Sequence, residues 1–119
     1  LSKIKISLYL LAAFFGFAGV MHFVNPLLFV RAVPSYLPWP MALVLISGFF
    51  EILGALGVLW PRTRKAAGYG LIALLIAVFP ANLNMALHHE LFSDIPLYVL
   101  WLRLPLQLFL IYWVKRAAC

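Results

Sequence analysis

Residues 41–60 read MALVLISGFFEILGALGVLW, twenty residues with a single charge, Glu51. The run does not alternate as a barrel strand would, and its length is that of a spanning helix, which needs about 20 predominantly apolar residues. Three more runs share its character: about Ile4–Val24 before it, and about Ala66–Leu87 and Leu97–Val114 after it. Of the 119 residues, 66% are hydrophobic and 10% charged, too few charges to coat a water-soluble globule of this size. The chain, residues 1–119, therefore reads as one all-α integral membrane domain, a four-helix bundle whose solvent is lipid.

The charges orient it. Lys3 and Lys5 precede the first run, Arg62, Arg64 and Lys65 lie between the second and third, and Lys115 and Arg116 follow the fourth. If the spans alternate, these seven share one side. The other side has Arg31, accompanied by Glu90 and Asp94. The positive-inside rule then predicts cytoplasmic N- and C-termini, in the cell membrane and, for a bacterial chain, the inner membrane. This distribution accounts for the net charge of +6 without nucleic acid as a partner. Tyr36, Trp39, Tyr98 and Trp101 mark one interface, and Trp60, Tyr69, Tyr112 and Trp113 the other. A lone cysteine, Cys119, excludes a disulfide scaffold and internal dithiol chemistry. The first run, about twenty residues long, is expected to span rather than to act as a cleaved leader.

The outer segment Asn25–Pro40 contains Pro26, Pro34, Pro38 and Pro40. Asn25 followed by Pro26 predicts a capped helix start, so a short helix over Leu27–Val30 and an extended return are expected, as a lid or a stiff connector. Small residues at helical spacing, Ala12 with Gly16 and Ala73 with Ala77 and Ala81, predict tight helix packing within the bundle, with a homo-oligomer seam as the alternative.

Two full charges fall inside the runs, Glu51 and Arg103. Each costs about 2.5–3.5 kcal/mol at mid-helix, so each is expected to point inward or find a partner. Counting about 1.5 Å per residue from the outer ends puts Glu51 roughly 15 Å deep and Arg103 roughly 9 Å. A Glu51–Arg103 ion pair is thus geometrically allowed, and the two are expected to lie inside the bundle and share a hydrogen-bond network. Asn82, Asn84, Gln107, Ser47 and His22 fall at similar depth, and Pro80 frees the carbonyl of Ile76 nearby. All are expected to converge on one outward-facing polar pocket. Such a network either fixes helix register or forms a ligand or proton site. His88, His89, Glu90 and Asp94 read as a solvated loop and no metal site is expected, because adjacent histidines on a helix point about 100° apart. No phosphate-binding or nucleophile-elbow motif is present.

Several segments in order resemble the DoxX-like family: Gly19-Val20-Met21-His22-Phe23, Asn25-Pro26, Pro34-Ser35-Tyr36-Leu37-Pro38, Ser47-Gly48-Phe49-Phe50-Glu51-Ile52 with Gly54, and Pro61-Arg62-Thr63-Arg64 leading to Phe79-Pro80-Ala81-Asn82. The resemblance covers about Leu11–Leu87. It implies a small four-helix membrane protein, with relatives linked to thiosulfate:quinone oxidoreduction, membrane redox complexes and, in animals, receptor-channel assembly. His22, Glu51 and Asn82 fall at family-type positions.

The leading expectation is an accessory membrane subunit whose pocket takes a small amphipathic ligand such as a quinone. Glu51 would be its proton acceptor, Arg103 its positive charge and His22 a proton relay at the mouth, histidine being the side chain that changes charge near neutral pH. Ser47, Asn82, Asn84 and Gln107 would line it. The chain has no cofactor motif of its own, so a redox partner protein would bring the redox centre. The alternatives are a non-enzymatic assembly factor that meets a client membrane protein, and a small-solute or proton transporter, which four helices without an inverted repeat disfavour.

Overall fold

The computed structural model describes residues 3–119 apart from Ser35 and Ser93, with the side chains of Ile4, His89 and Leu91 outside the description. The elements are α1 (Lys3–Val24), α2 (Pro26–Val30), α3 (Pro40–Leu59), α4 (Arg64–Leu87), a 3₁₀ turn (His89–Phe92) and α5 (Leu97–Ala118). No strand occurs among the described residues. The four long helices are each long and apolar enough to cross a membrane. The fourth runs past Val114 to Ala118, so Lys115 and Arg116 occupy its last turn, where cations complement the helix dipole.

Chain order is also spatial order. α1 packs on α3, α3 on α4 and α4 on α5. α5 closes back on α1, where the Trp113 indole donates to the Ser7 hydroxyl at 2.8 Å. α3 and α5 therefore face each other across the bundle. The ends differ. The basic end holds the start of α1, the α3–α4 turn and the end of α5. The loop end holds α2 and the 3₁₀ turn.

The core divides along the bundle axis. Leu8, Leu11, Phe15, Ala55, Val58, Leu71, Leu75, Val114 and Ala118 form one buried cluster drawn from all four long helices. Met85, Ala86, Phe92 and Leu100 form a second cluster at the loop end, from α4, the 3₁₀ turn and α5. Large apolar side chains such as Phe17, Leu56, Ile76 and Leu108 are well over half exposed, an outer surface suited to lipid rather than water.

The buried stripe of α4 is Gly68, Leu71, Leu75 and Met85 with Ala86, not the alanine ridge. Ala73 and Ala77 are exposed and Ala81 is half-buried. The expectation that this ridge packs within the bundle is thus corrected. The cause is the shape of the opposing helix. A Cβ on Gly54 of α3 would lie 2.6 Å from a Leu71 methyl, so Leu71 is the knob that fills that notch and sets the rotation of α4.

The short helix α2 forms where Pro26 presets its first turn, but the Asn25 side chain makes no capping hydrogen bond. Beyond it the Arg31 guanidinium donates to both Asp94 carboxylate oxygens, at 3.3 and 3.2 Å, and lies 5.3 Å over the Phe92 ring. Asn84 of α4 donates to the Ala32 carbonyl at 3.3 Å. These contacts bind the proline-rich segment to the α4–α5 connection. Trp39 then enters α3 in the left-handed region, φ 51°, with Pro40 as the first helical residue.

Candidate functional site

A close helix crossing sets the geometry of Glu51. α1 and α3 cross at Gly19 and Gly48. A Cβ on Gly19 would lie 2.7 Å from the Gly48 carbonyl oxygen, and one on Gly48 would lie 2.6 Å from the His22 Cβ. The two helices run antiparallel, so each glycine lies opposite the other helix's polar residue: Gly48 against His22, and Gly19 against Glu51, whose Cβ would lie 3.1 Å from a Cβ on Gly19, and the two side chains meet across the crossing.

The His22 Nδ1 sits 2.7 Å from the Ala18 carbonyl oxygen and 3.6 Å from Glu51 Oε2. The shorter contact is a hydrogen bond to the histidine's own helix; the longer one is beyond hydrogen-bonding range. The other face of the imidazole stacks on Phe29 of α2, with centroids 4.0 Å apart and planes 15° apart. Both the His22 and Glu51 side chains are 12% exposed. Glu51 Oε2 is buried with no hydrogen-bond partner among the described residues. A buried acceptor without a donor costs about 1–3 kcal/mol, and more when charged, so this oxygen is the site's open valence.

A second polar cluster joins α4 and α5. Gln107, 3% exposed, donates through its amide nitrogen to the Leu75 carbonyl and accepts from the Asn82 amide. The Asn82 carbonyl accepts from Arg103 Nε at 3.4 Å. Pro80 lacks an N–H, which deprives the Ile76 carbonyl of its helical donor. The carbonyl that gains a side-chain donor is that of Leu75, one residue earlier.

The two clusters are separate, which corrects two expectations. Among the described residues no hydrogen bond or ion pair joins Glu51 to Arg103, and the seven candidate residues do not meet in one pocket. Depth was the only coordinate the residue count supplied. Rotation puts Glu51 against α1 and Arg103 against α4, on helices that face each other across the bundle. Ser47 is half-buried one turn from Glu51 on α3. Asn84 serves the loop through Ala32 rather than either cluster. Arg103 also borders a groove along α5 with Val99, Leu102, Pro105 and Leu106.

The sequence reading missed Phe29 and Gln107's carbonyl partner. Phe29 had a signal, as the aromatic of the short helix that follows His22. Leu75 had none, because a backbone carbonyl carries no residue-type mark.

Fold and polar groups together define a small bundle of four helices long and apolar enough to cross a membrane, with a carboxyl oxygen at an α1–α3 crossing that has no hydrogen-bond partner among the described residues. The chain belongs to the family described as a domain of unknown function, DUF8561, whose model matches residues 11–118. No curated protein and no solved structure matches it.

Proposed function

We propose that this is an accessory protein of the cell membrane, inserted with both termini in the cytoplasm, that binds a small amphipathic ligand at Glu51. The observation that carries the reading is the buried Glu51 Oε2 without a donor, beside an imidazole that itself stacks on an aromatic ring of the proline-rich segment. A ligand hydroxyl or N–H would satisfy that oxygen. A ligand ring would find Phe29 and His22 as aromatic neighbours. A quinol head group has both features, and the resemblance of residues 11–87 to DoxX-like proteins supports a link to quinone-dependent redox complexes. In that role the quinol releases two protons and two electrons: Glu51 accepts the protons one at a time, His22 passes each toward the loop end, and a partner protein's redox centre takes both electrons. Arg103 belongs to the α4–α5 cluster and has a positioning role there.

The test is binding of a short-chain ubiquinol analogue to the detergent-purified protein. Wild type is expected to bind and Glu51→Gln to bind at least tenfold more weakly with an unchanged melting temperature. Equal binding by the two proteins sinks the site. C-terminal reporter fusions check the orientation; activity of the periplasmic reporter alone reverses it.

One observation favours a second reading, a membrane assembly factor. Ala66, Gly70, Ala73 and Ala77 are exposed along one side of α4, and a Cβ on Gly70 would meet nothing within 4 Å. Small residues on a lipid-facing helix allow another helix to approach closely. Loss of a client protein's co-purification on Ala73→Leu, with ubiquinol binding absent in wild type, would favour this reading over the first.

A further inference from the structure

At the basic end a recess opens between the start of α1, the end of α3 and the start of α4. Lys5, Leu8, Tyr9, Leu59, Pro61 and Arg64 line it. Three chain segments contribute, and two of them bring a cation. Leu8 is buried beneath it, while Tyr9 and Leu59 stand exposed at its sides.

Arg64 is held in place. Its Nε donates to the Val58 carbonyl at 2.8 Å and its NH2 group to the Leu59 carbonyl at 3.5 Å. These are the last carbonyls of α3, which lack helical donors, so the guanidinium is anchored by the helix end it caps. An anchored guanidinium loses little side-chain freedom on meeting an anion, and its planar fork matches the oxygens of a phosphate.

No acid competes. The chain has three Asp and Glu residues. Glu51 is eight residues before Leu59 along α3, about 12 Å at 1.5 Å per residue. Glu90 and Asp94 lie in the α4–α5 connection at the loop end. Seven Lys and Arg residues gather at the basic end, so the local field is positive throughout.

We infer that this recess is a binding site for a phosphate-bearing anion, one per chain, with Lys5 and Arg64 holding the phosphate oxygens and Tyr9 beside them. The chemistry is shared by the head group of an anionic phospholipid and by free phosphate. The exposed apolar side chain of Leu56 lies one turn from Leu59 on α3, where an acyl chain would lie. The inference is independent of the Glu51 site, which sits on the other side of Gly54 and Ala55 along α3.

The experiment is native mass spectrometry of the full chain released from detergent with added phosphatidylglycerol, phosphatidylcholine of the same acyl chains, or inorganic phosphate. Wild type is expected to retain one phosphatidylglycerol and to discriminate against phosphatidylcholine. Lys5→Gln is expected to weaken retention about fivefold, the effect of one basic residue at an anionic surface. Arg116→Gln, which removes the same charge at the same end but outside the recess, is expected to leave it unchanged. Arg64→Gln also strips the α3 carbonyls, so Lys5 is the decisive variant. If inorganic phosphate is retained with the same Lys5 dependence and phosphatidylglycerol is not, the site stands and its ligand is the free anion. Equal retention of the two lipids, or equal weakening by Lys5→Gln and Arg116→Gln, overturns it in favour of diffuse charge attraction.

Discussion

Replacing Gln107 with leucine tests whether the α4–α5 cluster stabilises the bundle. The volumes are close, so packing around the 3%-exposed side chain is largely kept. What is removed is a donor to the Leu75 carbonyl and an acceptor for the Asn82 amide. Interhelical hydrogen bonds in membrane bundles are worth about 0.6 kcal/mol on average and about 1.7 at most. Two of them give about 1.2–3.4 kcal/mol. The upper half of that range is expected, because the Asn82 amide that loses its acceptor also carries the carbonyl that holds Arg103 at 3.4 Å. The Asn82→Ala/Gln107→Leu double variant is therefore expected to be less destabilised than the sum of the singles. Reversible unfolding in mixed detergent–lipid micelles, titrated with a denaturing detergent, measures both quantities. A Gln107→Leu protein as stable as wild type would refute the argument, since the cluster would then contribute only polarity.

Two glycines separate crowded from open helix faces. Gly48→Ala places a Cβ 2.6 Å from the His22 Cβ and 2.9 Å from the Gly19 carbonyl oxygen, and a destabilisation of about 1–3 kcal/mol is expected in the same unfolding assay. Gly70→Ala meets nothing within 4 Å and is expected to leave stability unchanged or raise it by up to about 1 kcal/mol through helix propensity. The loop clasp depends on pH. Hydrogen bonding to Arg31 holds the Asp94 carboxyl below its ordinary value of 3.8. A lowered folded-state pKa gives stabilisation that is present above the unfolded value and lost as pH falls through the folded one. Amide exchange in residues 28–34 is accordingly expected to stay constant from pH 7 to about 5, once corrected for intrinsic rates, and to accelerate below about pH 4, where free Asp titrates. Arg31→Gln should abolish that dependence.

The helices were legible in the sequence because each is a long apolar run of a length and composition that could cross a membrane. The run at 41–60 needed no tertiary information to be read as a helix. The seven basic residues at one end were equally plain. The polar site was only half legible. Charge cost alone argued that Glu51 and Arg103 turn inward, and residue counts gave their depth. Partnership depends on how each helix is rotated, and four nearly uniform apolar helices carry a weak rotational signal. That signal lies in shape rather than polarity. Leu71 entering the notch at Gly54 turns Ala73 and Ala77 outward. The Gly19–Gly48 crossing gives Glu51 to His22 rather than to Arg103. In the loop, Asn25 marked the start of α2 by sequence convention, while the bonds that secure the segment come from Arg31 and Asn84, far along the chain from their partners.

Photolabelling with a ubiquinone analogue that carries a diazirine on its ring, followed by mass-spectrometric mapping of the modified residues, locates a ligand beside Glu51 directly. Label is expected on residues 19–29 of α1 and α2 and residues 47–52 of α3, competed away by unlabelled ubiquinol and lost in Glu51→Gln. Label confined to residues 99–106 of α5, around Arg103, or label that persists in Glu51→Gln, would contradict a ligand site at Glu51.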